Sequence, residues 1–505
     1  MVNFKLEDLQ KLAILHRVVP IIQTVPLNNE TPLSVFEKLA ADLTGSFLLE
    51  SAEQGIWSRY SFVGVRNRGN LIQSASGSVD WVSETNASPL PSENQELAKH
   101  ALDAVAQIQS AWHSAAHADL PPLTSGLVGV LGWDLIREIE KLGPAPKADY
   151  PAPIMALAMF RDLVVVDHHE QKLLLVSNIF VEENIDLDNA YVESLKFIDQ
   201  MLSDLKKPSA VHEGTFDLTG DLQPRNRTLK SDFIESIEKA KHYVRIGDVF
   251  QVVLSQRFDI DCDASALEVY RALRELNPSP YMYLLNFVDE SGAYAVVGSS
   301  PEALVKVIDR KAITHPIAGS RPRGKTDAQD AEHAESLLLD HKEKAEHLML
   351  VDLARNDLLK VCEPSSVSVT EFMQIHRYSH IMHLVSTVEG ELREGQNPVD
   401  VFRATFPAGT LSGAPKPRAL EIIDELEQSN RGVYGGVIGY FDFAGNADLA
   451  IAIRTAFIRD GVAHVQAGAG LVLDSVPETE YQETLSKAGA PLRAVVAANS
   501  LRSKN

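Results

Sequence analysis

The sequence predicts an α+β fold in which antiparallel β-sheets are flanked by helices. Three observations lead there. Short runs of β-branched and aromatic residues recur between Val35 and about Phe180. Clear helical periodicity opens the second half of the chain. The strands that follow are joined by short polar turns and not by regularly spaced helices, which argues against a βαβ sheet.

The expected strands of the first half are Phe47–Glu50, Tyr60–Val65, Gly126–Gly132, Met155–Phe160 and Leu163–Asp167. The Ser/Pro-rich stretch Ser83–Asn94 is the surface loop among them. Lys206–Asn226 lacks steady periodicity and holds two Pro and two Gly. The chain therefore divides into a region 1–204, a linker 205–227 and a region 228–505. The second region starts with a helix capped by Thr228 or Ser231. Phe233, Ile237, Ala240 and Val244 share one face, and Gly247 ends it. Strands at Ala293–Val297 and Ala303–Ile308 flank a GSSPE turn, and Val437–Phe443 and Leu449–Phe457 form a hairpin across Ala444–Asn446.

With 505 residues, 45% apolar and 23% charged, the composition is that of a soluble globular protein. The formal net charge of −22 repels a phosphate backbone, and the Lys and Arg are scattered, so no nucleic-acid partner is expected. Cys262 and Cys362 stand far apart in sequence, which excludes a disulfide framework and a CxxC site and fits a reducing compartment. Met1–Pro20 lacks a signal-peptide apolar core, and no apolar run approaches the roughly 20 residues of a membrane helix. The expected location is the cytoplasm, with no membrane partner.

Two glutamate pairs at matched spacing point to a metal. Glu343 and Glu346 lie in an extended helical segment, and Glu480 and Glu483 lie in a helix with Ser475 as N-cap and Pro477 in its first turn. The i,i+3 spacing sets both carboxylates of a pair on one face. Two such faces opposed offer oxygen donors only, which suits Mg²⁺. The same spacing occurs on solvated helix faces, and Glu235–Glu238 is read as such a pair. Gly468 and Gly470, in a QAGAG stretch between a strand and the Glu480 helix, allow backbone N–H groups to approach an anion, or simply form a tight turn. Arg454 sits in the apolar strand Leu449–Phe457, and an inward guanidinium there needs an anionic partner. Lys487 shares the face of Glu480 and Glu483, either as a salt bridge or as an anion contact. In a strand Arg377–Ser386, His383 and His380 point to opposite faces, and either imidazole is a candidate base.

Taken together, the blocks become specific. GDVFQVVLSQRF, NPSPYMY, GSSPE, PIAGSRPRG, EKAEHLMLVDLARND, HIMHLVS, FPAGTLSGAPKPRA, RGVYGGVIGYF and QAGAGLVLDSVPETEYQET follow one another between Gly247 and Thr484, and LLES, RYSFVG and GLVGVLGWD precede them. This pattern resembles the chorismate-utilising enzymes, and within them the large subunits (component I) of anthranilate synthases, over roughly Thr31 to Val496. The resemblance implies antiparallel sheets packed as a sandwich with helices outside. It implies Mg²⁺-dependent conversion of chorismate and ammonia to anthranilate and pyruvate. Glu346 and Glu483 would bind the metal, with Glu343 and Glu480 holding its waters. Gly468, Gly470, Tyr434, Arg454, Ser320, Thr410 and Lys487 would bind substrate. Glu302 would be the general acid at the C4 hydroxyl and His383 the group that removes the C2 proton.

Two positions narrow the reaction. Relatives that add water to chorismate carry a Lys base where this chain has Gln251. Aminodeoxychorismate synthases carry a covalent Lys where this chain has Ala318. That synthase, or an inactive tryptophan-binding regulatory subunit, is the alternative reading. Neither cysteine has the setting of a glutaminase nucleophile, so a separate glutamine amidotransferase subunit (component II) is the expected ammonia source. Glu50, Ser51, Pro280, Tyr281 and Met282 match the family's tryptophan feedback site, with L-tryptophan as inhibitor. Val130 and Trp133 stand where many members have Tyr, and Ser320 replaces the commoner Thr.

Overall fold

A computed structural model describes residues 5–51, 59–92, 95–115, 120–208, 216–377 and 381–502. Every pairing between its named strands is antiparallel. The two halves share strands: Phe47–Glu50 pairs with Tyr281–Asp289, and Gly126–Leu131 pairs with Val437–Asp442.

Side-chain alternation along these strands builds three apolar layers. Tyr283, Leu285, Phe160, Ile438 and Phe457 fill the space between the sheets. Met282 and Leu284 point the other way, toward the helices Pro32–Leu39, Ala266–Leu276 and Pro477–Arg502. Val437 and Leu157 face the opposite outer layer, which includes the helices Ala101–Ala111 and Lys416–Leu426. The architecture is the expected sandwich of antiparallel sheet with helices outside. Gly129 and Gly439 pair within it, and a Cβ at either would lie 2.0 Å from a carbonyl oxygen of the neighbouring strand.

Several boundaries differ from the sequence expectation. Met155–Phe160 and Leu163–Asp167 are one strand, Met155–Asp167. Asp162 crosses the buried interior because Arg66 pairs with it at 2.6 Å. The helix after residue 227 spans Lys230–Ile246 with Leu229 at its N-cap, while Ser231 bonds Asp232 instead. Gly247 ends it at φ +86°, as its lack of a Cβ allows. The segment carrying Glu343 is two helices, Asp327–Leu339 and His341–Leu359. Asp340 breaks them apart by accepting from the N–H groups of Lys342 and Glu343. The hairpin is Val437–Asp442 with Ala447–Ile451, and Thr455–Arg459 is a separate strand. Residues 466–470 lie inside the strand Val462–Leu471, not in a turn. His383 belongs to the strand Ile381–Glu391, and His380 lies outside the described residues.

Candidate active site

One cavity of about 770 Å³ gathers side chains from many separate stretches of the second half. Gln251 opens the strand Gln251–Asp261, and Glu302 stands in the turn between the strands Gly292–Ser300 and Ala303–Ile308. Ser320 and His383 face it from adjacent paired strands. Thr410 comes from the short turn Gly409–Leu411, and Tyr434 and Arg454 come from irregular segments. Gly468 and Gly470 line it from the strand Val462–Leu471. Glu343 and Glu346 enter from His341–Leu359, and Glu480, Glu483 and Lys487 from Pro477–Arg502. All the residues expected to bind metal or substrate, or to catalyse, therefore border one space.

Glu302 is one of the acids that line it. Burial pushes its carboxyl up to about 7, against the opposing pull of Thr410, Lys487 and Arg454. The Thr410 hydroxyl donates to its Oε1 at 2.9 Å. Burial also lowers the basicity of Arg454, and Glu302 partly restores it. Arg454 breaks the expected strand, at φ +52°, and its carbonyl accepts from the Ser299 N–H. Among the described residues no carboxylate makes a salt bridge to its guanidinium, so this half-buried cation suits an incoming anion. Lys487 pairs with Glu483 at 2.6 Å and donates to the Gly468 carbonyl at 3.0 Å.

The His383 Nδ1 lies 2.9 Å from the Gly319 carbonyl oxygen. A carbonyl only accepts, so Nδ1 carries the hydrogen and the basic lone pair is on Nε2. Burial is the main cause of its lowered pKa and keeps the ring neutral. Gly468 also closes on Tyr434: a Cβ there would sit 2.9 Å from the phenol oxygen, and its N–H is bonded to that oxygen.

The four glutamates face the cavity from two helices. Burial raises the Glu346 carboxyl, and the charges of Glu343 and Glu483 raise it further. Burial raises Glu480 too, with Glu483 adding to it and a hydrogen bond from Ser475 opposing. Ser475 thus acts on Glu480 and is not the N-cap, since the helix begins two residues later. Among the described residues no three acidic, His or Cys side chains already form a metal cluster. Glu483 is turned to Lys487, and Glu343 leans toward Arg321 at 3.5 Å.

The chain matches the model of the chorismate binding enzymes over residues 46–493. It belongs to that family. Anthranilate synthase component 1 of Arthrobacter globiformis is 47% identical to this chorismate binding enzyme over 98% of this chain and 93% of its own length. Among solved structures, anthranilate synthase component I of Streptococcus pneumoniae superposes with a TM-score of 0.76 at 33% identity, covering 93% of this chain and 99% of that one. The menaquinone-specific isochorismate synthase of Escherichia coli shares the fold, with a TM-score of 0.70 at 20% identity over 97% and 98% of the two chains.

The residues expected to bind tryptophan lie elsewhere in this enzyme, except Pro280, which lines the same cavity. Glu50 is buried and pairs with Met282 across the sheet. Its carboxylate already accepts from Arg274 at 2.8 and 2.9 Å and from the Tyr270 hydroxyl at 2.6 Å. Ser51 follows it, half-buried, and the Tyr281 hydroxyl donates to Asp448. Sequence reasoning missed Lys342, Asn277 and Gln466, which also line the cavity. Asn277 and Gln466 lay inside motifs already noted and Lys342 directly before one, but their orientation depends on tertiary pairing.

Proposed function

We propose that this chain is the large component of an anthranilate synthase. It converts chorismate and ammonia to anthranilate and pyruvate, the first step of tryptophan biosynthesis in the cytoplasm. The observation that carries the reading is Glu302 itself: a carboxyl poised near neutrality, bonded by Thr410, in a cavity that also presents Arg454 and Lys487. Chorismate is a dianion and needs a cation for each carboxylate. Arg454 and Tyr434 take the enolpyruvyl carboxylate, with Thr410 and Lys487 beside it, while the backbone of Gly468 and Gly470 meets the ring carboxylate.

The oxygen donors of Glu346 and Glu483, supported by Glu343 and Glu480, suit Mg²⁺, and the mutual repulsion of these charges, opposed by Lys342 and Lys487, favours a divalent cation there. When bound, Mg²⁺ supplies positive charge to the ring carboxylate. Glu302 donates its proton to the C4 hydroxyl, which leaves as water while ammonia adds at C2. Neutral His383 then accepts the C2 proton, the C3–O ether bond breaks and the ring becomes aromatic, and the departing enolpyruvate takes up one proton at its methylene carbon to become pyruvate. Gln251 has no basic nitrogen to activate water, and Ala318 has no amine to add covalently. Ammonia comes from a glutamine amidotransferase subunit, and L-tryptophan inhibits by binding near Glu50, Ser51 and Pro280–Met282.

The decisive experiment gives the purified chain chorismate, Mg²⁺ and ammonium at mildly alkaline pH. Fluorescent anthranilate is the expected product. Formation of 4-amino-4-deoxychorismate or isochorismate instead overturns the assignment.

A further inference from the structure

The motif RGVYGG gives Tyr434 to the cavity, but its arginine stops behind the wall. Arg431 is 1% exposed, and it is held on every side. Its Nε and Nη2 donate to Glu427 at 2.9 and 2.7 Å. Nη1 donates to the Leu411 carbonyl at 2.7 Å and Nη2 to that of Val253 at 2.8 Å. Its Cζ lies 4.2 Å from the Trp133 ring centre and 5.6 Å from that of Tyr434.

Three of these contacts lead to the cavity. Leu411 lines it and follows Thr410, and Tyr434 lines it directly. Glu427 Oε1 accepts from the Ser255 N–H and hydroxyl, both at 2.8 Å. The Ser255 oxygen accepts from Gln466 Nε2 at 2.8 Å, and Gln466 is part of the wall. Trp133 comes from the first half of the chain, and its backbone N–H donates to the Gly432 carbonyl at 2.8 Å. Gly435, at φ +75°, leaves room for the indole, since a Cβ there would meet it at 2.9 Å.

We propose that Arg431, clamped between Trp133 and Glu427, is the positioning residue that fixes the inner wall of the chorismate cavity. The first half of the chain thereby sets the geometry of the reaction without touching substrate. A planar, five-donor fork meets this set of acceptors, and an ammonium does not. This proposal rests on the cavity being the chorismate site.

The test is a double-mutant cycle with Arg431→Lys and Gln466→Leu in the full chain, with kcat and KM for chorismate measured under saturating ammonium and Mg²⁺. Arg431→Lys is expected to lower kcat/KM about 10-fold or more, because small displacements of a reacting geometry are costly. Gln466→Leu is expected to add little further loss in that background, since the two act through one path. Should Arg431→Lys not fold, Ser255→Ala replaces it: the Glu427–Arg431 pair stays intact, the link to Gln466 is cut, and KM rises about threefold with unfolding temperature unchanged. Simple additivity of the two effects, or wild-type kcat and KM in Arg431→Lys or in Ser255→Ala, overturns the positioning role. A wild-type chain that leaves chorismate untouched defeats instead the reading of the cavity.

Discussion

The hydroxyl of Thr410 donates to Glu302 Oε1 at 2.9 Å, and this bond favours the charged form of the carboxyl. Burial opposes it and prevails, leaving the carboxyl near 7. Activity that needs the protonated acid then falls as pH rises through about 7, measured as kcat/KM at constant free ammonia. Thr410→Val removes a bond to the carboxylate and moves this limb to higher pH. An unmoved limb would show that another group controls it.

Glu302→Gln separates catalysis from stability. The amide keeps the shape, still accepts from Thr410 and has no acidic proton, so kcat should drop by about 10²–10⁴. The folded-state pKa lies above the ordinary value of 4.5, so ionising this group costs stability as pH rises toward 7. The Gln variant should gain on the parent above that pH, by roughly 1–3 kcal/mol, and show no gain below about pH 4.5. Denaturant unfolding at pH 4 and pH 8 checks both signs.

Chelation should abolish anthranilate formation, and Mg²⁺ should restore it. Glu343→Gln and Glu480→Gln should raise the Mg²⁺ required by about 10–100-fold, as for groups that support a metal through water. Glu346→Gln and Glu483→Gln should weaken Mg²⁺ binding further. Calorimetric titration with Mg²⁺ alone reads this without turnover. Equal affinity in all four variants would remove the metal from this face.

Glutamine should not serve as nitrogen donor for the isolated chain, whereas ammonium should. A glutaminase needs a reactive thiolate, and both cysteines are buried. Burial pushes Cys362 up to about 11, and Cys262 turns its Sγ to the Ala264 carbonyl. Adding an amidotransferase subunit should confer glutamine-dependent turnover. Glutamine-dependent anthranilate formation without it would contradict the two-subunit arrangement.

What sequence reveals here follows the range of the interaction. The i,i+3 glutamates were legible because helix geometry alone sets their common face, and both pairs reach the cavity. The strand Phe47–Glu50 was legible from local composition, but its partner Tyr281–Asp289 was not, because that pairing is settled by the whole sandwich. Arg454 was expected in a strand because its neighbours are apolar. The chain instead breaks there at positive φ, a conformation that neighbouring residue types do not signal. Gly468 and Gly470 looked like a turn, yet they are strand positions where Tyr434 and Gln251 occupy the space a Cβ would need. The role of Arg431 was hidden for a similar reason, since Trp133 and Glu427 meet it only in the fold.

Tryptophan control provides the last prediction. Glu50 and Met282 are paired across the sheet, and Pro280, two residues before Met282, borders the active cavity. A ligand seated against Ser51 would therefore press on a strand, Tyr281–Asp289, that is directly preceded by a cavity-lining residue. Ser51→Phe fills that seat and should abolish inhibition by tryptophan, while ammonia-dependent kcat changes less than about twofold because no cavity residue is replaced. Linkage adds a second expectation. If tryptophan weakens chorismate binding, chorismate must weaken tryptophan binding by the same factor. Equilibrium titration of tryptophan with and without chorismate in the Glu302→Gln variant, which binds without turning over, measures that factor. Unchanged tryptophan affinity, or full inhibition retained in Ser51→Phe, would place the regulatory site elsewhere.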